Sequence, residues 1–133
     1  MNRRTGRHAK VVFWLAIATG VVLSLIGVRF LLQPESAASF FGIDPRNPGF
    51  APHAAIALRD LWLGLLLVAF TVLRDWRAVA LWLGLATLVC FGDAAIAASS
   101  SGRALSIAFH SGSGLFCGIL APLAWRLSRS SAR

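Results

Sequence analysis

Four apolar runs, each long enough to cross a lipid bilayer, leave this chain few ways to fold. They cover about Val11–Leu32, Ala51–Leu73, Ala78–Ala98 and Ala104–Trp125. Each exceeds the roughly 20 residues that a helix needs to span the hydrocarbon. Only 14% of the residues are charged, 57% are hydrophobic and the mean hydropathy is +0.72. A soluble domain of this length is far more polar. The expected fold is therefore all-α, a four-helix transmembrane bundle with residues 1–133 forming one integral membrane domain.

The net charge of +8 suggests nucleic-acid binding until its distribution is read. Arg3, Arg4, Arg7 and Lys10 precede the first run, Arg74 and Arg77 lie in the second connection, and Arg126, Arg129 and Arg133 follow the fourth run. The other two connections hold only Arg46 and Arg103, while Arg29 and Arg59 lie within runs. Such asymmetry is the positive-inside pattern, which puts both termini in the cytoplasm of a cell-membrane protein. Anionic lipid, not nucleic acid, is the partner expected for the basic tails. The first run is too long for a signal sequence and no small-residue cleavage site follows it, so it reads as an uncleaved anchor.

The connections set further limits. Met1 to Lys10 is polar and expected to be a mobile tail. Pro34 discourages continuation of the first helix. Beyond it, Glu35 to Ile43 places Ala37, Phe40 and Phe41 on one side and Ser36 and Ser39 on another, which predicts a short interfacial helix. That element is either a cover for the outer mouth of the bundle or a simple connector. Asp44-Pro45 and Asn47-Pro48-Gly49 are turn chemistry, and Pro52 suits the first turn of the next helix. Arg74-Asp75-Trp76-Arg77 forces a tight antiparallel hairpin, and the link from Ser99 to Arg103 is as short. The second, third and fourth spans should thus be consecutive neighbours.

Small residues mark close helix contacts. Gly20, Ser24 and Gly27 form one stripe, and Ser106, His110, Ser113 and Cys117 with the Gly114/Gly118 pair form another. Trp14, Trp76, Trp82 and Trp125 fall where an aromatic belt would lie at the cytoplasmic interface, and Trp62 falls at mid-depth. Counting depth from the outer ends puts Cys90 at about 12 Å and Cys117 at about 20 Å. This separation exceeds disulfide reach and predicts free thiols.

The same count brings Arg29, Arg59, Asp60, Asp93 and His110 into one layer, about 5–10 Å below the outer surface. Ionisable groups in a membrane span are tolerated when they pair with one another, and by default they mark function. The candidate catalytic residues are therefore Arg59, Asp60, Asp93 and His110. Arg59 would stabilise an oxyanion, an aspartate would move a proton, and His110 could do either near neutral pH. Arg59 and Asp60 point about 100° apart on their helix, so each could equally pair with another helix. Arg29, Trp62, Cys90 and Ser113 are candidate binding residues around the layer. The competing interpretation is a structural network that clamps the helices in register. His53, nearer the water, reads as a solvated interfacial histidine.

Sharper chemistries fail on spacing. His53, His110 and Asp93 lack the clustering of a metal site, and no cofactor is expected. His53 is too shallow to join His110 in holding a haem. Ser111 and Ser113 beside His110 lack a nucleophile elbow. Small multidrug transporters share the size but depend on a first-span glutamate that this chain does not have.

Arg29-Phe30 followed by Pro34 and Phe41-Gly42, then Arg59-Asp60 with Gly64, Gly92-Asp93, and His110 in the last span form a recognisable set. It resembles a family of small four-span membrane proteins known mainly as a domain of unknown function, and is similar to the DoxX-like group. The resemblance implies that the Arg-Asp, Gly-Asp and His positions belong together; it implies no reaction. The residues thus point to a pocket for a lipophilic small molecule, with acid–base chemistry of the isomerase, cyclase or epoxide-opening kind as the enzymatic form. The alternative is a non-catalytic accessory subunit, self-associating or held in a membrane complex. A proton-coupled transporter is disfavoured because no acidic residue lies near the bilayer centre.

Overall fold

The structure is a computed structural model and describes residues 3–43 and 50–131. Those residues form five α-helices: α1 (Arg3–Leu32), α2 (Pro34–Phe41), α3 (Phe50–Val72), α4 (Trp76–Ser100) and α5 (Ala104–Ser131). The turn chemistry expected at 44–49 lies outside the described residues. Four helices contain segments long and apolar enough to cross a membrane: Arg7–Leu32, His53–Val72, Trp76–Ser100 and Ala104–Arg129. Only 22–33% of their most apolar windows is buried inside the protein. Leu88, Leu115 and Ile119 are each more than 60% exposed. A water-soluble protein rarely shows so much continuous apolar surface, whereas lipid accepts it. The chain is a multi-pass membrane protein.

Helix ends follow local chemistry. Pro34 lacks an N–H and takes the first position of α2, so α1 stops at Leu32 and the chain breaks at Gln33. At the far end of α2, Gly42 adopts φ 102°, and its N–H and that of Ile43 both reach the Ala38 carbonyl at 3.0 Å. The αL conformation turns the chain there, as at many helix C-termini. Between α3 and α4, Arg74 takes the left-handed role with φ 57°. The Asp75 N–H donates to the Phe70 carbonyl and the Arg74 N–H to that of Thr71, each at 3.0 Å, which completes a Schellman motif. The Asp75 carboxylate then accepts the Ala78 N–H at 3.1 Å and caps α4. The N-terminal tail was expected to be mobile; instead α1 runs on through it from Arg3.

The four long helices associate as two pairs, α1 along α3 and α4 along α5. Missing side chains allow both contacts. A Cβ on Gly20 would lie 2.7 Å from the Gly64 carbonyl oxygen, and one on Gly27 would lie 2.7 Å from the Ala57 oxygen. Gly64 in turn sits on Ser24 and Gly20. The stripe on the first span therefore meets a complementary stripe on α3. On the other pair, Gly114 lies under Cys90 and Phe91, with a would-be Cβ 3.3 Å from the Cys90 Cβ. Between the pairs contact is sparse. The short hairpin after α3 does not make α3 and α4 intimate neighbours, as the connection had suggested. Both are committed to other partners along their small-residue faces.

Two apolar clusters close the ends of the bundle. The larger, near the chain termini, includes Val12, Ala16, Leu67, Val79, Leu83, Leu120 and Ala124. Trp76 and Trp82 belong to it, at 6% and 9% exposure, and so are core residues rather than members of an interfacial belt. The smaller cluster joins Phe30, Ala37, Ala38, Phe41 and Ala57 beneath α2. Short polar contacts fix α2 there. Ser106 donates to the Phe40 carbonyl at 2.8 Å, Arg103 to the Ser39 carbonyl at 2.8 Å, and the Ser101 N–H to the Gly42 carbonyl at 3.2 Å.

Candidate functional site

Between the two clusters lies a cavity of about 700 Å³. All five helices contribute to its wall, which is mainly aliphatic and aromatic. Arg59 and Asp60 of α3, Cys90 of α4, and His110, Ser113 and Cys117 of α5 supply polar or sulfur-bearing groups.

Arg59 is the hub of the charged group. Its Nε donates to Asp60 Oδ1 at 2.8 Å, while Nη1 and Nη2 donate to the two oxygens of Asp93 at 3.3 and 3.1 Å. The fork geometry of guanidinium matches a carboxylate in this way. Both carboxylates are nearly enclosed, with side-chain exposures of 5% for Asp60 and 10% for Asp93, whereas Arg59 retains 33%. The 100° between neighbouring helix positions did not keep Arg59 and Asp60 apart. A long arginine bends back to its neighbour and still crosses to α4. Asp93 is not among the cavity-lining residues and meets Arg59 from α4.

His110 is buried beside this group. Its Nε2 lies 3.0 Å from the Phe41 carbonyl oxygen, and its ring meets the Phe41 ring edge-on at 4.4 Å. A carbonyl can only accept, so Nε2 carries hydrogen and Nδ1 is the acceptor of the neutral ring. Asp60 and His110 both line the cavity. The group thus joins α3, α4 and α5, with α2 supplying the carbonyl that orients the histidine.

Other sequence candidates go elsewhere. Arg29 does not enter the layer; it is exposed, donates to the Ser36 hydroxyl at 2.9 Å and lies over the Phe40 ring at 5.5 Å. Its long side chain finds an acceptor and an aromatic face on the next helix without crossing the bundle. Trp62 is 55% exposed and is not among the residues that line the cavity. His53 is 5% exposed and stacks on Phe30 at 6.3 Å, and so is a buried residue, not a solvated one. Cys90 and Cys117 are free thiols, as expected, and both line the cavity. Ser113 lines the cavity but spends its hydroxyl on the Phe109 carbonyl at 2.9 Å.

Without Arg29 the charge balance changes. One guanidinium now faces two carboxylates, and the group is neutral only when it holds one further proton, on His110 or on a carboxyl. The sequence did not reveal the contribution of Phe41, whose backbone carbonyl holds His110. Phe41 stands out in the sequence as part of an aromatic face and of the Phe41-Gly42 pair, neither of which points to its carbonyl. Gly112, which opens the wall with nothing within 4 Å of a would-be Cβ, gave no signal at all.

Fold and site together define a small multi-pass helical membrane protein with a buried ion cluster beside an apolar cavity. The chain belongs to the family described as a domain of unknown function, DUF4267, whose model matches residues 20–124. The matched region includes all four members of the ion cluster. No curated protein and no solved structure matches the chain.

Proposed function

We propose that this protein binds a lipophilic small molecule in the cavity between its helix pairs and acts on it by acid–base chemistry. The observation that carries the reading is the position of Asp60 and His110 on the wall of an apolar space of about 700 Å³. A cavity of this size suits a small organic ligand, with a few convergent polar groups to orient it. Arg59 steadies the Asp60 carboxylate, Asp93 steadies Arg59, and the Phe41 carbonyl fixes the tautomer of His110. A proton would then pass between the ligand and Asp60 or His110 Nδ1. Isomerisation, cyclisation and epoxide opening are the reaction classes that such a pair serves. The likeness to the DoxX-like group, carried by the same Arg-Asp, Gly-Asp and His positions, supports treating them as one site. The setting is the cell membrane with both termini cytoplasmic, supported by the distribution of arginines.

A Gly112→Phe variant tests the reading, because Gly112 borders the cavity and nothing lies within 4 Å of its would-be Cβ to exclude a bulky ring there. Native mass spectrometry of the protein extracted in mild detergent should find a small molecule retained by the wild type and lost from the variant. Equal retention in both would remove the cavity as the binding place. One observation favours the alternative of a purely structural clamp: the Arg59–Asp93 pair bridges α3 and α4 across the sparse seam. In that case His110→Gln would lower thermal stability as much as Asp93→Asn does.

A further inference from the structure

We infer that the cavity selects a lipophilic cation, an amine protonated at neutral pH or a quaternary onium, and this rests on the cavity being a binding site. Charge count gives the first argument. Three of the five Arg59 N–H groups already donate to the two carboxylates, so its charge is matched before any ligand arrives. Two carboxylates against one guanidinium leave one negative charge when His110 is neutral. Asp60 Oδ1 is taken by Arg59, but Oδ2 makes no hydrogen bond among the described residues, although Asp60 is only 3% exposed and lines the cavity. On an apolar wall a carboxylate oxygen without a donor lacks what bulk water would supply, and a cationic ligand supplies it.

Aromatic rings give the second argument. Phe30, Phe40, Phe41, Phe109 and Phe116 all contribute to the wall. The negative faces of such rings stabilise a desolvated cation, and clusters of them recognise ammonium groups that have no hydrogen to donate. Phe41 and Phe109 both touch the His110 ring, so the aromatic zone adjoins the charged one. Arg29 and Arg103 do not cancel the field. Both are exposed at the α2 end and held by Ser36 and Ser39, where solvent screens them. An alkyl or aryl ammonium would therefore place its charge against Asp60 and its apolar body toward Leu23, Leu63 and Ala86.

Three probes of similar bulk and different charge test this: tetraphenylphosphonium, triphenylmethanol and tetraphenylborate. Their binding to the wild-type protein in neutral detergent is measured by equilibrium dialysis against protein-free micelles. The cation should bind about tenfold more tightly than the alcohol, and the anion most weakly. Asp60→Asn should bring cation affinity down to that of the alcohol while alcohol binding stays unchanged. Phe109→Leu, which keeps the carboxylate, should weaken the cation alone. Equal affinities, or tighter binding of the anion, overturn the charge selectivity and leave the cavity reading intact. If none of the probes binds, and Gly112→Phe changes nothing retained from the membrane, both readings fall. The comparison of probes on the wild type stands even where the Asn variant does not fold.

Discussion

Arg59 is held by three nitrogen contacts to two carboxylates, and the geometry makes its neighbours unequal in what their loss would do. Asp93→Asn keeps the shape but loses the charge opposite the guanidinium fork. Breaking a buried pair costs several kcal/mol, but Arg59 is one-third exposed, so solvent screens part of the effect. Thermal unfolding in detergent should show a loss of about 1–3 kcal/mol. His110→Gln should differ by less than about 1 kcal/mol, because the glutamine amide can donate to the same Phe41 carbonyl. A comparable loss in both variants would make the histidine a structural part. Gly42 is a second residue with a defined reason to be what it is. At φ 102° a side chain is strained, and a Cβ would lie 2.7 Å from that of Ala97 and 2.9 Å from that of Ser106. Gly42→Ala should cost about 2 kcal/mol or more and loosen α2, seen as faster amide exchange in that helix.

The helix pairs depend on what is missing from their faces. Gly64 has the α1 backbone directly over it, with the Ser24 nitrogen 2.7 Å from a would-be Cβ, and backbone cannot rotate aside as a side chain can. Gly64→Ala should therefore push α1 from α3 and lower stability by about 1–3 kcal/mol in chemical denaturation. Gly92 makes the contrast. It stands next to Asp93, but nothing lies within 4 Å of its would-be Cβ. Gly92→Ala should be neutral or gain about 0.5–1 kcal/mol, the ordinary advantage of alanine within a helix. Equal losses at Gly64 and Gly92 would contradict the pairing of α1 with α3.

Across the whole molecule, lipid replaces much of the core that a soluble bundle would need. Leu88 lies midway along α4 and is 69% exposed, so it faces hydrocarbon. A lysine there should impede insertion by about 2.5–3.5 kcal/mol, measured as the fraction of chains integrated by a translocon assay. An exposed leucine on a soluble protein would tolerate the change with little effect. The arrangement of pairs has a consequence for Cys90 and Cys117 as well. Both belong to the α4–α5 pair, so a bond between them would stiffen one wall and leave the seams between pairs untouched. Reporter fusions at the two ends test the orientation that the arginine distribution predicts, and both should report the cytoplasmic side.

The sequence by itself determined the four crossings, the helical break before Pro34, the short α2, and the close-contact stripes Gly20-Ser24-Gly27 and Gly114-Gly118. Each is a local matter of hydropathy, hydrogen-bonding capacity or side-chain volume. It also brought Arg59, Asp60, Asp93 and His110 to a common height, because rise along a helix is fixed. Only the tertiary structure decided which helix faces which. In lipid every face of a crossing is apolar, so the pattern that points a soluble helix toward its core is absent. For the same reason Arg29 and Trp62 could be given a height but not a direction. Arg29 turned to Ser36 and Phe40, Trp62 turned outward, and the cavity formed where two helix pairs failed to meet.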